Sequence, residues 1–254
     1  MAMLSTLDFT GFEETEDSII AYAEEERYEE QAVQEIAAQL QLPFQKEVLQ
    51  QRNWNEEWEK NFEPVIIDGF CSVRADFHPK PENVTYDIVI TPKMSFGTGH
   101  HSTTALMIEL MRELDFTHKQ VFDFGTGTGI LAILAEQLGA DAILAIDNDE
   151  WSYENALENC TRNQASKITV QLATADDVPA DATFDIILAN INRHILLAYM
   201  PQMAALLKEQ GTLLLSGILT EDVSMVRAAA EAQGFRYQLE QTDQNWVCMQ
   251  LVKG

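Results

Sequence analysis

An apolar strand that runs into three closely spaced glycines and then into an apolar helix constrains the fold more than any other feature of the sequence. The stretch QVFDFGTGTGILAILAEQLGA covers residues 120–140 and places Gly125, Gly127 and Gly129 in the turn between the two elements. Glycines at such a turn permit tight bending and let a ligand approach bare backbone. We therefore predict that these three glycines contact a bound ligand.

Strand and helix patterns alternate from this region to the end of the chain. The helix HILLAYMPQMAALLKEQG is expected to end at Gly211, and the helix EDVSMVRAAAEAQG at Gly234. The last segment, FRYQLEQTDQNWVCMQLV, predicts a pair of antiparallel strands. Strands that alternate with helices indicate an α/β fold, with a doubly wound and mostly parallel sheet that has an antiparallel C-terminal edge.

The chain divides into three regions by pattern. Residues 1–50 mix strand and helix patterns, with an amphipathic helix predicted over 29–41, and indicate a small α+β domain. Residues 51–83 contain the proline-rich turn HPKPEN and are expected to link the two domains. Residues 84–254 carry the alternating pattern and form the larger domain.

The charge balance restricts the partners. Lys and Arg number 16 against 41 Asp and Glu, which gives a net charge of −25. Such a chain repels nucleic-acid phosphates and attracts basic partners, although acidity can also serve solubility alone. No apolar run approaches the ~20 residues that a membrane span needs, and the N-terminus lacks a secretory signal. Three distant cysteines without a CxxC pair fit a reducing, cytoplasmic setting.

An aspartate at the end of the next strand indicates the kind of ligand. Asp147 follows Gly125 by 22 residues, where a carboxylate can accept hydrogen bonds from both hydroxyls of a ribose. The spacing is GxGxG rather than the GxGxxG of dinucleotide sites, and Asp123 would repel a pyrophosphate. An acidic residue suits a ligand with a sulfonium and an ammonium, so S-adenosylmethionine is favoured over NAD. A turn or capping role for Asp123 is the alternative.

Two further acidic residues follow the strand ITVQLAT. Asp176 or Asp177 could accept a hydrogen bond from an adenine amino group. Both precede Pro179, so a solvated turn is equally compatible with the pattern. Of the two, Asp176 is our predicted cofactor contact.

Asn190 ends the apolar strand FDIILANI, and strand ends line the ligand crevice in a doubly wound sheet. Its carbonyl could accept a hydrogen bond from a substrate amine and aim the nitrogen lone pair at a methyl group. We therefore predict that Asn190 has a catalytic role and also contacts the cofactor. Asn192 is a second candidate in the same loop, and a simple turn role is the alternative.

The stretch MSFGTGHHSTT, residues 94–104, supplies a second glycine-bearing loop. Its hydroxyls could cap the helix that follows, but Phe96 beside two glycines favours a loop that covers the cofactor, with Phe96 in contact with it. His100 and His101 have no third ligand at metal spacing, so no metal site is predicted.

The motifs MSFGTGHHSTT, FDFGTGTGILAILAEQLGA, AIDND, ILANI and LLLSGIL occur in this order and closely resemble the ribosomal protein L11 methyltransferases, the bacterial PrmA family. The likeness covers roughly residues 50–254. It implies a class I, Rossmann-like, S-adenosylmethionine-dependent methyltransferase, with cofactor contacts at Thr104, Gly125, Asp147 and Asn190.

The resemblance also implies a small N-terminal domain that recognises the ribosomal protein. The substrate groups would be lysine side chains and the N-terminal α-amine of basic L11, and the enzyme would be a monomer. A lysine methyltransferase for another protein, a non-catalytic binding module and an NAD-dependent oxidoreductase are the alternatives.

Overall fold

The chain divides into two units, Met1–Arg52 and Asn53–Gly254. The computed structural model describes residues 7, 9–14, 18–24, 27–48, 62–91 and 99–254. No helix within these ranges combines the length and the apolar character that crossing a bilayer requires.

The described residues of the first unit form an antiparallel strand pair and a helix. Strands β1 (Gly11–Glu14) and β2 (Ile19–Tyr22) pair with each other, and helix α1 spans Glu30–Leu40. The helix buries Val33 and stops where Gln41 adopts a left-handed backbone conformation. Its bounds agree with the amphipathic pattern.

The first described strands of the second unit form a three-stranded sheet. Strands β3 (Val65–Ile67) and β4 (Cys71–Ala75) are antiparallel, and β4 pairs in parallel with β5 (Tyr86–Ile90). Here the structure differs from the expected linker over residues 51–83, because the apolar side chains of β4 are fully buried and their backbone must be paired. Strand β5 joins this small sheet and not the large one.

The larger sheet has seven strands. They are β6 (Gln120–Phe124), β7 (Ala142–Asp147), β8 (Ile168–Leu172), β9 (Phe184–Asn190), β10 (Leu207–Leu219), β11 (Phe235–Asp243) and β12 (Trp246–Lys253). Their spatial order is β11-β12-β10-β9-β6-β7-β8. Strands β6 to β10 are parallel, whereas β12 runs antiparallel to β10 and β11 antiparallel to β12. The predicted Rossmann-like sheet with an antiparallel C-terminal edge is confirmed.

The helices that accompany this sheet are α2 (Ser102–Met111), α3 (Ile130–Gln137), α4 (Glu150–Arg162), α5 (Arg193–Leu206) and α6 (Val223–Glu231). The helix expected to reach Gly211 stops at Leu206, because the backbone from Leu207 onward pairs with β9. A β-carbon on Gly211 would lie 3.0 Å from the carbonyl oxygen of Asp185, which accounts for the glycine within a strand. Helix α6 ends three residues before Gly234.

Side chains alternate between the two faces of the large sheet and separate the core into two clusters. Val121, Ile186 and Leu188 belong to the cluster that contains α2 and α3, whereas Phe122 and Ile187 belong to the cluster that contains α5 and α6. Because strand side chains have a period of two, Asp123 and Asn190 point toward the α2 and α3 face. This parity decides which helices can contact them.

Candidate active site

The glycine-rich turn joins β6 to α3 in a conformation that only glycine adopts without strain. Gly125, Gly127 and Gly129 have φ values of +75°, +56° and +81°. A β-carbon on Gly125 would lie 2.4 Å from Cγ2 of Ile191, and one on Gly217 would lie 2.2 Å from the carbonyl oxygen of Ile191. The segment after β9 is therefore held between two glycines, one from the turn and one from β10.

Asp147 lies at the carboxyl end of β7 and supports the glycine turn. Its Oδ2 accepts a hydrogen bond from the Gly127 N–H at 2.9 Å, and its Oδ1 accepts one from the Asp149 N–H at 3.0 Å. Each carboxylate oxygen has further lone pairs, so both can accept a hydroxyl as well. The half-buried side chain faces a cavity.

The cavity has a volume of about 640 Å³ and lies at the carboxyl ends of the central strands. Gly125, Gly127, Asp147 and Asn190, all predicted from the sequence, line it. Its described wall contains one carboxylate and neither lysine nor arginine. A phosphate group would find no cationic partner in that wall, whereas a cationic ligand would meet a carboxylate.

Asn190 presents a buried amide to this cavity. Its Nδ2 donates a hydrogen bond to Oγ1 of Thr104 on α2 at 3.3 Å, as the parity of β9 allows. Its Oδ1 has no hydrogen-bond partner among the described residues, although the residue is only 8% exposed. A buried carbonyl without a partner is uncommon in folded proteins. Because Asn190 lines the cavity, we expect this unpartnered oxygen to accept a hydrogen bond when a ligand is bound.

Asp123 is buried behind the glycine turn, and the described cavity wall does not include it, so contact between Asp123 and the cofactor stays a prediction. Its Oδ2 accepts a hydrogen bond from Oγ1 of Thr126 at 2.6 Å. Burial raises the pKa of the Asp123 carboxyl to about 7, an effect that the nearby Asp147 carboxylate reinforces and the hydrogen bond from Thr126 opposes. The structure thus supports a turn-holding role for Asp123.

The raised pKa of Asp123 predicts a pH-dependent stability. The native protein keeps a proton on this carboxyl that the unfolded chain releases, so its stabilising contribution is complete below about pH 4 and is lost as the pH rises. The loss is complete near the folded-state pKa of about 7. Because Asp123→Asn cannot release a proton, its free energy of unfolding relative to the wild type should rise by up to about 4 kcal/mol across this range.

Denaturant unfolding of both proteins between about pH 4 and pH 8 measures the difference between their free energies of unfolding. The contributions of all other titrating groups are shared by the two proteins and cancel in this difference. A difference that stays constant with pH would show that Asp123 titrates normally in the folded protein.

The two acidic residues after β8, Asp176 and Asp177, have different hydrogen-bond partners. Asp177 accepts hydrogen bonds from the backbone and hydroxyl of Thr174 and closes a capping box. Asp176 is exposed, accepts a hydrogen bond from the Tyr199 hydroxyl at 3.3 Å and is not part of the cavity wall. Thr174 and Tyr199 line the cavity instead. Contact between Asp176 and the cofactor stays a prediction. Tyr199, which donates a hydrogen bond to Asp176, lines the cavity.

The N-terminus of α2 is capped by a histidine, whereas the sequence suggested a hydroxyl side chain as the cap. His101 is the N-cap, and its Nδ1 accepts from the Thr103 N–H at 3.3 Å. The His101 ring meets Trp246 of β12 edge to face at 4.7 Å between centroids, and both line the cavity. Sequence spacing gave no signal for Trp246, which lies 145 positions after His101. Phe96 lies outside the described residues.

The described residues fit S-adenosylmethionine. The Asp147 carboxylate can accept ribose hydroxyls, and Gly125 and Gly127 bring backbone without side chains to the cavity wall. Asn190, whose carbonyl has no hydrogen-bond partner among the described residues, lines the same cavity. This site at the carboxyl ends of a seven-stranded sheet defines a class I S-adenosylmethionine-dependent methyltransferase.

The chain belongs to the ribosomal protein L11 methyltransferase (PrmA) family, whose model matches residues 6–254. The L11 methyltransferase of Phocaeicola vulgatus is 37% identical over 99% of this chain and 92% of its own. That of Porphyromonas gingivalis is 39% identical over 99% of this chain and 89% of its own. The crystal structure of a ribosomal protein L11 methylase from Lactobacillus delbrueckii subsp. bulgaricus covers 76% of this chain and 100% of that chain, with 30% identity and a TM-score of 0.69.

Proposed function

We propose that this enzyme methylates amino groups of ribosomal protein L11, namely lysine side chains and the N-terminal α-amine. The observation that carries the proposal is the buried Asn190 carbonyl, which has no partner among the described residues and belongs to a residue that lines the cavity together with the glycine turn. Such an oxygen matches the N–H of a neutral amine. The names of the relatives above support L11 as the protein that bears the amine.

S-adenosylmethionine, when bound, would supply an electrophilic methyl group: a nitrogen lone pair would form a bond to the methyl carbon as the carbon–sulfur bond breaks, and the sulfonium would leave as a neutral thioether. Thr104 holds the Asn190 amide so that its oxygen accepts an N–H from the substrate amine. That hydrogen bond directs the lone pair of the same nitrogen away from Asn190 and into the cavity. Orientation of the reacting atoms is a large part of the rate in such displacements.

The amine must be neutral to react. A lysine ammonium has a pKa near ~10.4, and transfer into a cavity with a largely apolar wall lowers it because the charged form loses its hydration. No described side chain is hydrogen-bonded to the Asn190 oxygen, and we assign the proton to water. The role of the protein is to orient the amine and remove its solvent shell.

The charge of the protein suits this substrate. With a net charge of −25, the enzyme attracts a lysine-rich protein and repels nucleic acid. A cytoplasmic setting is supported by three free, buried cysteines. We also infer substrate recognition by the first unit and a monomeric enzyme, both from the family resemblance.

Intact-mass measurement tests the proposal. Incubation of the enzyme with S-adenosylmethionine and purified L11 should raise the mass of L11 in steps of about 14 Da, one for each methyl group. Peptide mapping should then place the methyl groups on lysine side chains and on the N-terminal amine. An unchanged mass together with normal cofactor binding would favour the alternative of a lysine methyltransferase for a different protein. Failure to bind the cofactor would reject both.

A further inference from the structure

Among the described residues, side chains and not a strand pair with the outer edge of β5. One edge of β5 pairs with β4, and the outer edge meets the region of helix α4. Asn163, just after α4, accepts from the Val89 N–H at 2.9 Å and donates to the Val89 carbonyl at 2.7 Å. One asparagine amide therefore satisfies both backbone groups that a partner strand would have paired.

A second asparagine continues this pattern. Asn159 lies one helical turn before Asn163, and its Oδ1 accepts from the Thr91 N–H at 2.8 Å. Four helical residues rise about 6 Å and two strand residues about 6.6 Å, so the two asparagines match successive N–H groups on one strand edge. The match explains how α4 can hold the end of β5 in register.

Asn159 also reaches the glycine turn from the same position. Its Nδ2 donates to the Thr128 carbonyl at 2.8 Å and to Oδ1 of Asn155 at 3.2 Å. Thr128 lies between Gly127 and Gly129, and the Asn159 side chain is fully buried. A single amide thus connects the glycine turn to the three-stranded sheet.

That sheet supports the other cavity-lining segment. A β-carbon on Gly99 would lie 3.4 Å from Val73 of β4 and 3.6 Å from Val65 of β3, so the backbone at Gly99 packs closely on the sheet. Two residues later, His101 lines the cavity. Both cavity-lining segments therefore contact the same three-stranded sheet, and the glycine turn does so through Asn159.

We propose that Asn159 is a positioning residue that sets the glycine turn relative to the three-stranded sheet and so preorganises the cofactor site. The inference rests on the proposed function insofar as the ligand is S-adenosylmethionine. Asn159 acts through the Thr128 carbonyl and does not line the cavity. Preorganisation of this kind is measured as affinity for the cofactor.

The test compares two matched substitutions in the full-length protein. Asn159→Asp keeps an acceptor for Thr91 but places a second oxygen against the Thr128 and Asn155 oxygens. We expect the affinity for S-adenosylhomocysteine, measured by calorimetric titration, to fall about tenfold or more, as the loss of a buried hydrogen bond predicts. Asn163→Asp loses the equivalent bonds to Val89 and Asn159 without contact to the turn, and should bind within about twofold of the wild type.

Equal affinities of the two variants would overturn the positioning role, whether both are weakened or neither is. Wild-type protein that fails to bind S-adenosylhomocysteine would reject the proposed function itself, so the two failures are distinguishable. If Asn159→Asp does not fold, wild-type protein labelled with nitrogen-15 asparagine provides the second measurement. Cofactor binding should shift the side-chain amide signal of Asn159 more than that of Asn163, and equal shifts would again overturn the proposal.

Discussion

Replacement of Asp147 by alanine is expected to weaken the binding of S-adenosylmethionine by at least about 100-fold. Two ribose hydroxyls would lose a charged acceptor, and each such hydrogen bond contributes about 1.5–3 kcal/mol. The Gly127 N–H would lose its acceptor at 2.9 Å as well, so the turn itself would be less well held. Calorimetric titration with S-adenosylhomocysteine measures the affinity without turnover.

Asp185 provides the matched control. This half-buried carboxylate of β9 accepts from the Gln120 N–H at 2.8 Å and pairs with Lys208 at 2.9 Å, at the opposite end of the parallel strands. Asp185→Ala should lower thermal stability but leave cofactor affinity within about twofold, since distant sites act independently. Wild-type affinity in Asp147→Ala would remove the ribose site from this strand end. Equal loss in both variants would indicate a general effect on folding.

Replacement of Asn190 by alanine is expected to reduce turnover about 100-fold or more. The substrate amine would lose the acceptor that orients its lone pair, and a misplacement of about 1 Å can cost a factor of that size. Cofactor affinity should fall less than tenfold, because the Asp147 and glycine-turn contacts persist, so the loss should appear mainly in kcat. Single-turnover methylation of L11, followed by intact mass, measures the chemical step.

Ser216 is the control for Asn190. It occupies the register position beside Asn190 on β10, is fully buried and donates to the Val247 carbonyl at 2.8 Å. Ser216→Ala removes a buried polar group of the adjacent strand that does not line the cavity, so turnover should stay near the wild-type value while stability falls. Unimpaired turnover in Asn190→Ala would contradict the orienting role of the amide.

Local pattern predicted the elements of the large sheet well. Apolar runs bounded by glycine gave the parallel strands, and the three glycines marked the turn that the structure places against Ile191. The same reasoning from local pattern predicted that α5 extends to Gly211, because the residues from Leu207 to Gln210 are compatible with a helix. Pairing with β9 overrides that preference, and strand pairing between residues more than twenty positions apart has no local signature.

The sequence by itself determined the α/β class, the glycine turn and the strand-end positions of Asp147 and Asn190, because each depends on the periodicity of a short segment and on the chemistry of one residue type. Only the tertiary structure decided that Asp123 supports the turn from behind, that Trp246 joins the cavity wall, and that Asn159 links the turn to a separate sheet. Those roles depend on which distant backbone and side-chain atoms meet across the fold. Such contacts are set by the packing of whole elements, which no local pattern encodes.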